Sequence, residues 1–156
     1  MTSALTARRK PGSSPTLNVE KYFAGIPILR WSKLSSDGEK VRVILVDSVG
    51  ILAYMYHHAQ IVYVGGAFTT GVHNVLEPAV MGAAVSFGPK HSNSMESLHM
   101  LEQGLAACLK NAEEFQSWLY NLLDNPKRRL ELGKKSKEYV EGQAGASERC
   151  LPLLVS

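Results

Sequence analysis

An imidazole, a carboxamide and a carboxylate fall within five positions of one another in the stretch Gly71-Val72-His73-Asn74-Val75-Leu76-Glu77-Pro78. A carboxylate can accept two hydrogen bonds from the hydroxyls of a ribose, a grip that open α/β folds use on nucleosides. Asn74 and Glu77 are spaced i, i+3 at a predicted helix start. That spacing suits a ligand pair, and it equally suits a cap in which the Asn side chain serves the first turn and the Glu completes a box. His73 precedes the helix. A histidine alone is more often a satisfied loop residue than a catalyst. Beside Gly71 and Asn74, a helix N-terminus would hold its ring next to a bound phosphate.

Two glycine-bearing segments join this set, Gly65-Gly66 and Gly88-Pro89. Each follows an apolar run that reads as a strand. Tight turns explain them, and so does the close approach of backbone to a ligand. The candidate binding residues are therefore Gly65, Gly66, Gly71, His73, Asn74, Glu77, Gly88 and Pro89. Asn93-Ser94-Met95-Glu96 opens a later helix and reads as a cap with a favourable acidic residue. His57 and His58 lack metal-ligand spacing and read as packing or surface residues. The chain has no P-loop, zinc motif or nucleophile elbow.

The elements that must position these residues follow from the hydrophobic pattern. Val41 to Asp47 is nearly continuous and β-branched, as in a parallel strand covered on both faces. Val49 to Ala59 predicts a helix capped by Asp47 or Ser48. Ile61 to Val64 predicts a strand, Asn74 to Met81 a helix, and Ala83 to Phe87 a strand. Asn93 to Gln103 predicts a helix ended by Gly104, and Leu105 to Leu109 a short strand. Asn111 caps a helix running to about Asp124, and Pro126 opens the last long helix. Ile26 to Trp31 is a possible short strand, and Ser35-Ser36-Asp37-Gly38 a turn. The alternation predicts an α/β fold, a Rossmann-like parallel sheet with helices on both faces. In such a sheet ligands sit outside the carboxyl ends of the strands, where the glycine segments fall.

The 156 residues suffice for one domain with a real core. With 45% hydrophobic and 20% charged residues the composition is globular. The net charge of +3 is modest. The basic residues Lys127, Arg128, Arg129, Lys134, Lys135 and Lys137 read as a solvated helix face rather than a phosphate- or membrane-contacting patch. No aromatic residues interleave with them as nucleic-acid binding prefers. Residues 1–18 are rich in Ser, Thr, Pro and basic residues and read as a disordered lead or linker, leaving 19–156 as the domain. The segment lacks the apolar core of a signal peptide, and no run approaches a membrane span. Cys108 and Cys150 are far apart, and Cys108 reads as a small buried hydrophobe.

Val43-Ile44-Leu45-Val46-Asp47-Ser48-Val49-Gly50, then Gly65-Gly66, then Gly71 to Pro78, then Phe87-Gly88-Pro89 resemble the C-terminal domain of 3-deoxy-D-manno-octulosonic acid (Kdo) transferases, of the GT-B glycosyltransferase class. Gly145-Ala146-Ser147-Glu148-Arg149 is similar to that family's closing segment. The resemblance runs from about Val41 to Leu154. It departs from the family's Gly-Gly-His-Asn-Pro-Leu-Glu-Pro at Val72 and Val75.

The resemblance implies transfer of Kdo from CMP-Kdo to a lipid A precursor, in lipopolysaccharide synthesis at the cytoplasmic face of a Gram-negative inner membrane. It implies that this chain is the donor half, with Asn74 and Glu77 at the donor, Glu77 on the ribose, and Gly71 near the phosphate. The catalytic carboxylate, acceptor site and membrane anchor would lie on a preceding domain, so this stretch alone would be soluble and inactive. No cofactor or metal is implied. Two alternatives stay open. One is another GT-B enzyme or a sugar-nucleotide epimerase using a uridine nucleotide. The other is a non-catalytic Rossmann-like interaction module.

Overall fold

The computed structural model describes residues 3–6, 23, 25–34 and 41–150, with side chains described at 23, 25–34 and 41–143. The chain divides into two compact units, Met1–Met55 and Tyr56–Ser156. Each contains one three-stranded sheet, and both sheets are wholly parallel. Parallel neighbours need crossover connections, which the α/β alternation supplies.

In the first unit β1 (Ser3–Thr6), β2 (Ile28–Arg30) and β3 (Val43–Val46) lie in the order β1-β3-β2. The lead expected at 1–18 is described only at Ser3–Thr6, where it is a strand in register with Val43–Val46. A central apolar strand with an open edge presents unpaired N–H and C=O groups, and β1 meets them. The rest of that lead, and the turn expected at 35–38, lie outside the described residues. Pro27 stays out of β2, while its carbonyl accepts from the N–H groups of Arg42 and Val43.

Asp47 does not cap the following helix. Its carboxylate accepts from the Ser32 N–H at 3.0 Å and the Ser32 hydroxyl at 2.7 Å, and Arg30 stands 3.8 Å away. The Ser32 hydroxyl and N–H hold the Asp47 carboxyl below its ordinary value. With that cap used elsewhere and Gly50 at φ +91°, α1 is confined to Leu52–Tyr56 rather than reaching from Val49 to Ala59.

The second unit holds β4 (Ile61–Val64), β5 (Ala84–Phe87) and β6 (Ala106–Cys108) in sequence order. Its helices are α2 (Leu76–Val80), α3 (Met95–Glu102), α4 (Ala112–Asp124) and α5 (Pro126–Cys150). The middle strand β5 is buried at every position, as a parallel strand covered on both faces must be. Its one polar residue, Ser86, donates its hydroxyl to the Val62 carbonyl. Phe87 and Met100 are fully buried in the core with Val75, Ala79 and Val85; apart from Ala79, each such side chain contributes about 2 kcal/mol by leaving water.

Helix α5 closes this core. Tyr139 and Val140 pack on it, and the buried Ser136 hydroxyl donates to the Leu105 carbonyl. Gly133 meets the Gly82 carbonyl so closely that a Cβ there would collide with it. Of the basic residues expected on a solvated face of α5, Lys127, Arg128, Lys134, Lys135 and Lys137 are exposed, with Lys134–Glu138, Lys135–Glu131 and Lys137–Glu141 pairs one turn apart, while Arg129 is half-buried and donates to the Leu122 carbonyl at 2.8 Å. Such pairs contribute little to stability. His57 and His58 are exposed, and Cys108 is only partly buried. Among the described residues no helix is long and apolar enough to cross a membrane.

Candidate functional site

The loop after β4 is folded on itself before it reaches the polar residues. The Gly66 carbonyl accepts from three successive amides, those of Thr69, Thr70 and Gly71. Gly66 has φ +91°, and a Cβ there would meet the Gly71 carbonyl oxygen at 2.5 Å and the His73 ring at 2.9 Å. So Gly66 is required by the turn, and it lets the imidazole lie against the loop. The loop is tied to the segment after β5: the Lys90 N–H donates to Ala67 and its Nζ to Thr69, while the Val72 N–H donates to Lys90. A Cβ at Gly88 would meet the Phe68 ring at 2.9 Å and the Tyr63 hydroxyl at 3.1 Å. Packing against Phe68 therefore accounts for this glycine. Gly65 and Pro89 are exposed, and a Cβ at Gly65 meets nothing within 4 Å.

Past the loop the chain turns into α2. The Asn74 Oδ1 accepts from the N–H of Leu76 at 3.0 Å and of Glu77 at 3.4 Å, and its Nδ2 donates to Glu77 Oε1 at 2.8 Å. The capping role expected of this pair is thus real. It is also partial. Glu77 Oε2 accepts from nothing among the described residues, and the N–H groups of His73, Asn74 and Val75 donate to no described protein group. The side chains of His73, Asn74 and Glu77 are exposed, while Val72 and Val75 turn inward and are buried. The helix itself is shorter than expected, five residues against Asn74 to Met81. Pro78 cannot supply a donor, and Gly82 at φ +80° ends the helix with bonds from Gly82 to Ala79 and from Ala83 to Pro78. So short a helix carries little macrodipole. The donors available to an anion are the individual amides.

A cleft of about 430 Å³ opens here, lined by Val72, His73, Asn74, Val75 and Leu76 on one wall and by Asn93, Ser94 and Glu96 on the other. Its size falls in the range of small-ligand sites, about 300–1,000 Å³. Of the sequence-predicted residues it gathers His73 and Asn74 directly. Glu77 joins through its bond to Asn74, and Gly66 and Gly71 through contact with His73 and Asn93. Gly65, Gly88 and Pro89 do not line it. A second cleft of similar size, bordered by Gly104 to Ala107, Trp118, Arg128 and Lys135, holds none of the predicted residues.

The far wall is what sequence reasoning assigned to a cap. Ser94 does cap α3, its hydroxyl accepting from the Ser97 N–H. It also donates to Glu96 Oε2 at 2.8 Å. Glu96's own N–H and that hydroxyl hold its carboxyl below the ordinary value, so the wall carries a fixed negative charge at neutral pH. Asn93 does not cap; its carboxamide reaches back across the cleft to Val72. Behind the cleft His91 Nδ1 lies 3.3 Å from the Gly88 carbonyl and 3.8 Å from Cys108 Sγ. Burial pushes the Cys108 thiol and the Tyr63 phenol above their ordinary values, so neither is an activated nucleophile at neutral pH.

The fold is a parallel α/β unit with a glycine loop at the strands' carboxyl ends. A solved structure of this class superposes with a TM-score of 0.65 at 24% identity, over 74% of this chain and 61% of that one: the C-terminal CMP-Kdo binding domain of WaaA from Acinetobacter baumannii. The sequence is similar to 3-deoxy-D-manno-octulosonic acid transferases. The one from Chlamydia pneumoniae is 31% identical over 135 residues, 84% of this chain and 30% of the relative. That from Haemophilus influenzae is 33% identical over 129 residues, 81% of this chain and 30% of the relative. That from Aquifex aeolicus is 38% identical over 98 residues, 62% and 28%. No family model matches the chain. The chain is thus a relative of the Kdo transferases over a stretch equal to about 30% of their length.

Proposed function

We propose that this chain supplies the donor-binding part of a Kdo transferase, with CMP-Kdo as the ligand of the cleft between residues 72–76 and 93–96. The observation that carries this reading is the coincidence of three amides (His73, Asn74, Val75), unpaired among the described residues, on the wall of that cleft with a carboxylate, Glu77, that Asn74 holds beside the wall and that keeps one free oxygen. The amides and the His73 ring suit the phosphate; the free oxygen of Glu77 suits a ribose hydroxyl. The reaction would be displacement of CMP from the anomeric carbon of Kdo by an acceptor hydroxyl on a lipid A precursor. A base on another domain would take the hydroxyl proton. This part would stabilise charge growing on the departing phosphate, the role of donors already aimed at it. In the complete enzyme the reaction would take place at the cytoplasmic face of the inner membrane.

The Asn74 bonds to Leu76 and Glu77 favour a second reading, in which this pair is a helix cap and nothing more. A thermal-unfolding panel of CMP, UMP and other nucleoside monophosphates separates the readings. A ligand at a hundred times its Kd stabilises by about 2.7 kcal/mol. Stabilisation by CMP above UMP supports the donor cleft. Preference for UMP moves the chain to a uridine-nucleotide enzyme. Stabilisation by none of them leaves the cap alone.

A further inference from the structure

The two walls of the cleft are joined across their base by one side chain. Asn93 Oδ1 accepts from the Val72 N–H at 3.2 Å, and Asn93 Nδ2 donates to the Val72 carbonyl at 3.1 Å. One carboxamide thus holds both polar groups of a single residue 21 positions away. Val72 immediately precedes His73, Asn74 and Val75, whose amides face no protein partner among the described residues. Gly71, on the other side of Val72, has φ +108°, and a Cβ there would stand 2.6 Å from the Asn93 Oδ1. Glycine at 71 therefore leaves the room that the Asn93 side chain occupies. The neighbours of Asn93 work locally, Ser94 as the α3 cap and Glu96 on Ser94. Asn93 takes no part in that cap.

We propose that Asn93 is a positioning residue: it sets the separation of the cleft walls and the direction of the His73–Val75 amides, and so sets affinity for a nucleoside monophosphate without a bond to it. The inference rests on the donor-cleft reading. A bidentate side-chain bond to a backbone peptide costs side-chain freedom once, in folding, and leaves less ordering to be done on binding. The Val72 N–H also donates to Lys90, so losing Asn93 leaves the loop attached and frees only its orientation.

The test compares the whole chain with Asn93→Ala by two measurements below the unfolding temperature of both. Backbone ¹⁵N order parameters at residues 73–75 are measured without ligand, and CMP affinity by calorimetry. The expected result is a fall of the order parameters from rigid values near about 0.85 toward about 0.6, with CMP bound at least about tenfold more weakly. Asn93→Gln keeps a neutral carboxamide on an arm one methylene longer, which strains both bonds to Val72 without adding charge to the cleft. It gives the same changes at smaller size and serves if the alanine variant does not fold. Asn111→Ala, which removes the α4 cap, lowers the unfolding temperature and leaves CMP affinity within twofold. Unchanged order parameters overturn the inference. So do lowered order parameters with unchanged affinity, since Asn93 is then a structural tie only. A wild-type chain that binds no CMP removes the donor-cleft reading and the positioning role together, and the order parameters then still report whether the tie exists.

Discussion

The sequence Asn-x-x-Glu occurs three times in the second unit; at Asn93–Glu96 the cap falls to Ser94, and the other two copies, at Asn74–Glu77 and at Asn111–Glu114, are built differently. At the second, Asn111 accepts from the Glu114 N–H at 2.8 Å, and Glu114 returns a carboxylate oxygen to the Lys110 N–H at 2.8 Å. The box is closed, and a 13-residue helix follows. At the first, the Glu77 carboxylate bonds only the Asn74 side chain, the amides of residues 73–75 stay open, and a five-residue helix follows. The same residue types at the same spacing give a finished cap in one place and an unfinished one beside a cleft. Unpaired amides at an exposed helix start are ordinary where water meets them. An unpaired array on a cleft wall, with a half-used carboxylate tied to that wall through Asn74, is what a ligand site requires.

The largest expected effect breaks the first copy and spares the second. α2 is ended by Gly82, which lies against Gly133 of α5. Gly133→Ala must separate α5 from the end of α2, a cost of about 2 kcal/mol or more for an overpacked contact against backbone. Chemical denaturation measures it. Amide shifts should move around residues 76–84 and hold still around 111–114. Next come Asn74→Ala and Glu77→Gln. Each is expected to weaken CMP about tenfold or more by calorimetry, with a smaller change in unfolding temperature for Glu77→Gln, which retains the acceptor for Asn74 Nδ2. Asn111→Ala sharpens the contrast from the other side: it should cost about 1 kcal/mol of stability and leave nucleotide affinity unchanged.

The smallest effect concerns the first unit. Asp47 has its folded pKa lowered by the Ser32 bonds. A carboxyl with a depressed folded pKa stabilises above its unfolded pKa, and the contribution fades as pH falls through the folded one. The stabilisation should therefore be complete above the ordinary value of 3.8 and decline below it. Asp47→Asn should flatten that acid limb, and hydrogen exchange at residues 43–46 follows it.

Much of the second unit was legible in local pattern. Ile61–Val64 is a strand with the limits expected, because an apolar run is bounded by Gln60 and by glycines. Asn111 and Pro126 open α4 and α5 because cap and N1 chemistry is local. What the pattern missed depends on contacts distant in sequence. Asp47 suits a helix cap until Ser32, 15 positions earlier, takes both its oxygens. Asn93 suits an α3 cap until Val72 takes its carboxamide, leaving the cap to Ser94. Gly88 reads as a ligand approach, yet the Phe68 ring accounts for it. For Asn93 a signal was present: two candidate caps, Asn93 and Ser94, stand side by side where a helix needs one.

The most direct test is an amide-resolved titration of the whole chain with CMP. The N–H resonances of His73, Asn74 and Val75 are expected to shift together and saturate, with Glu114 and Lys110 unmoved. Saturable binding that leaves those three amides in place, or no binding at all, would contradict the donor-cleft reading.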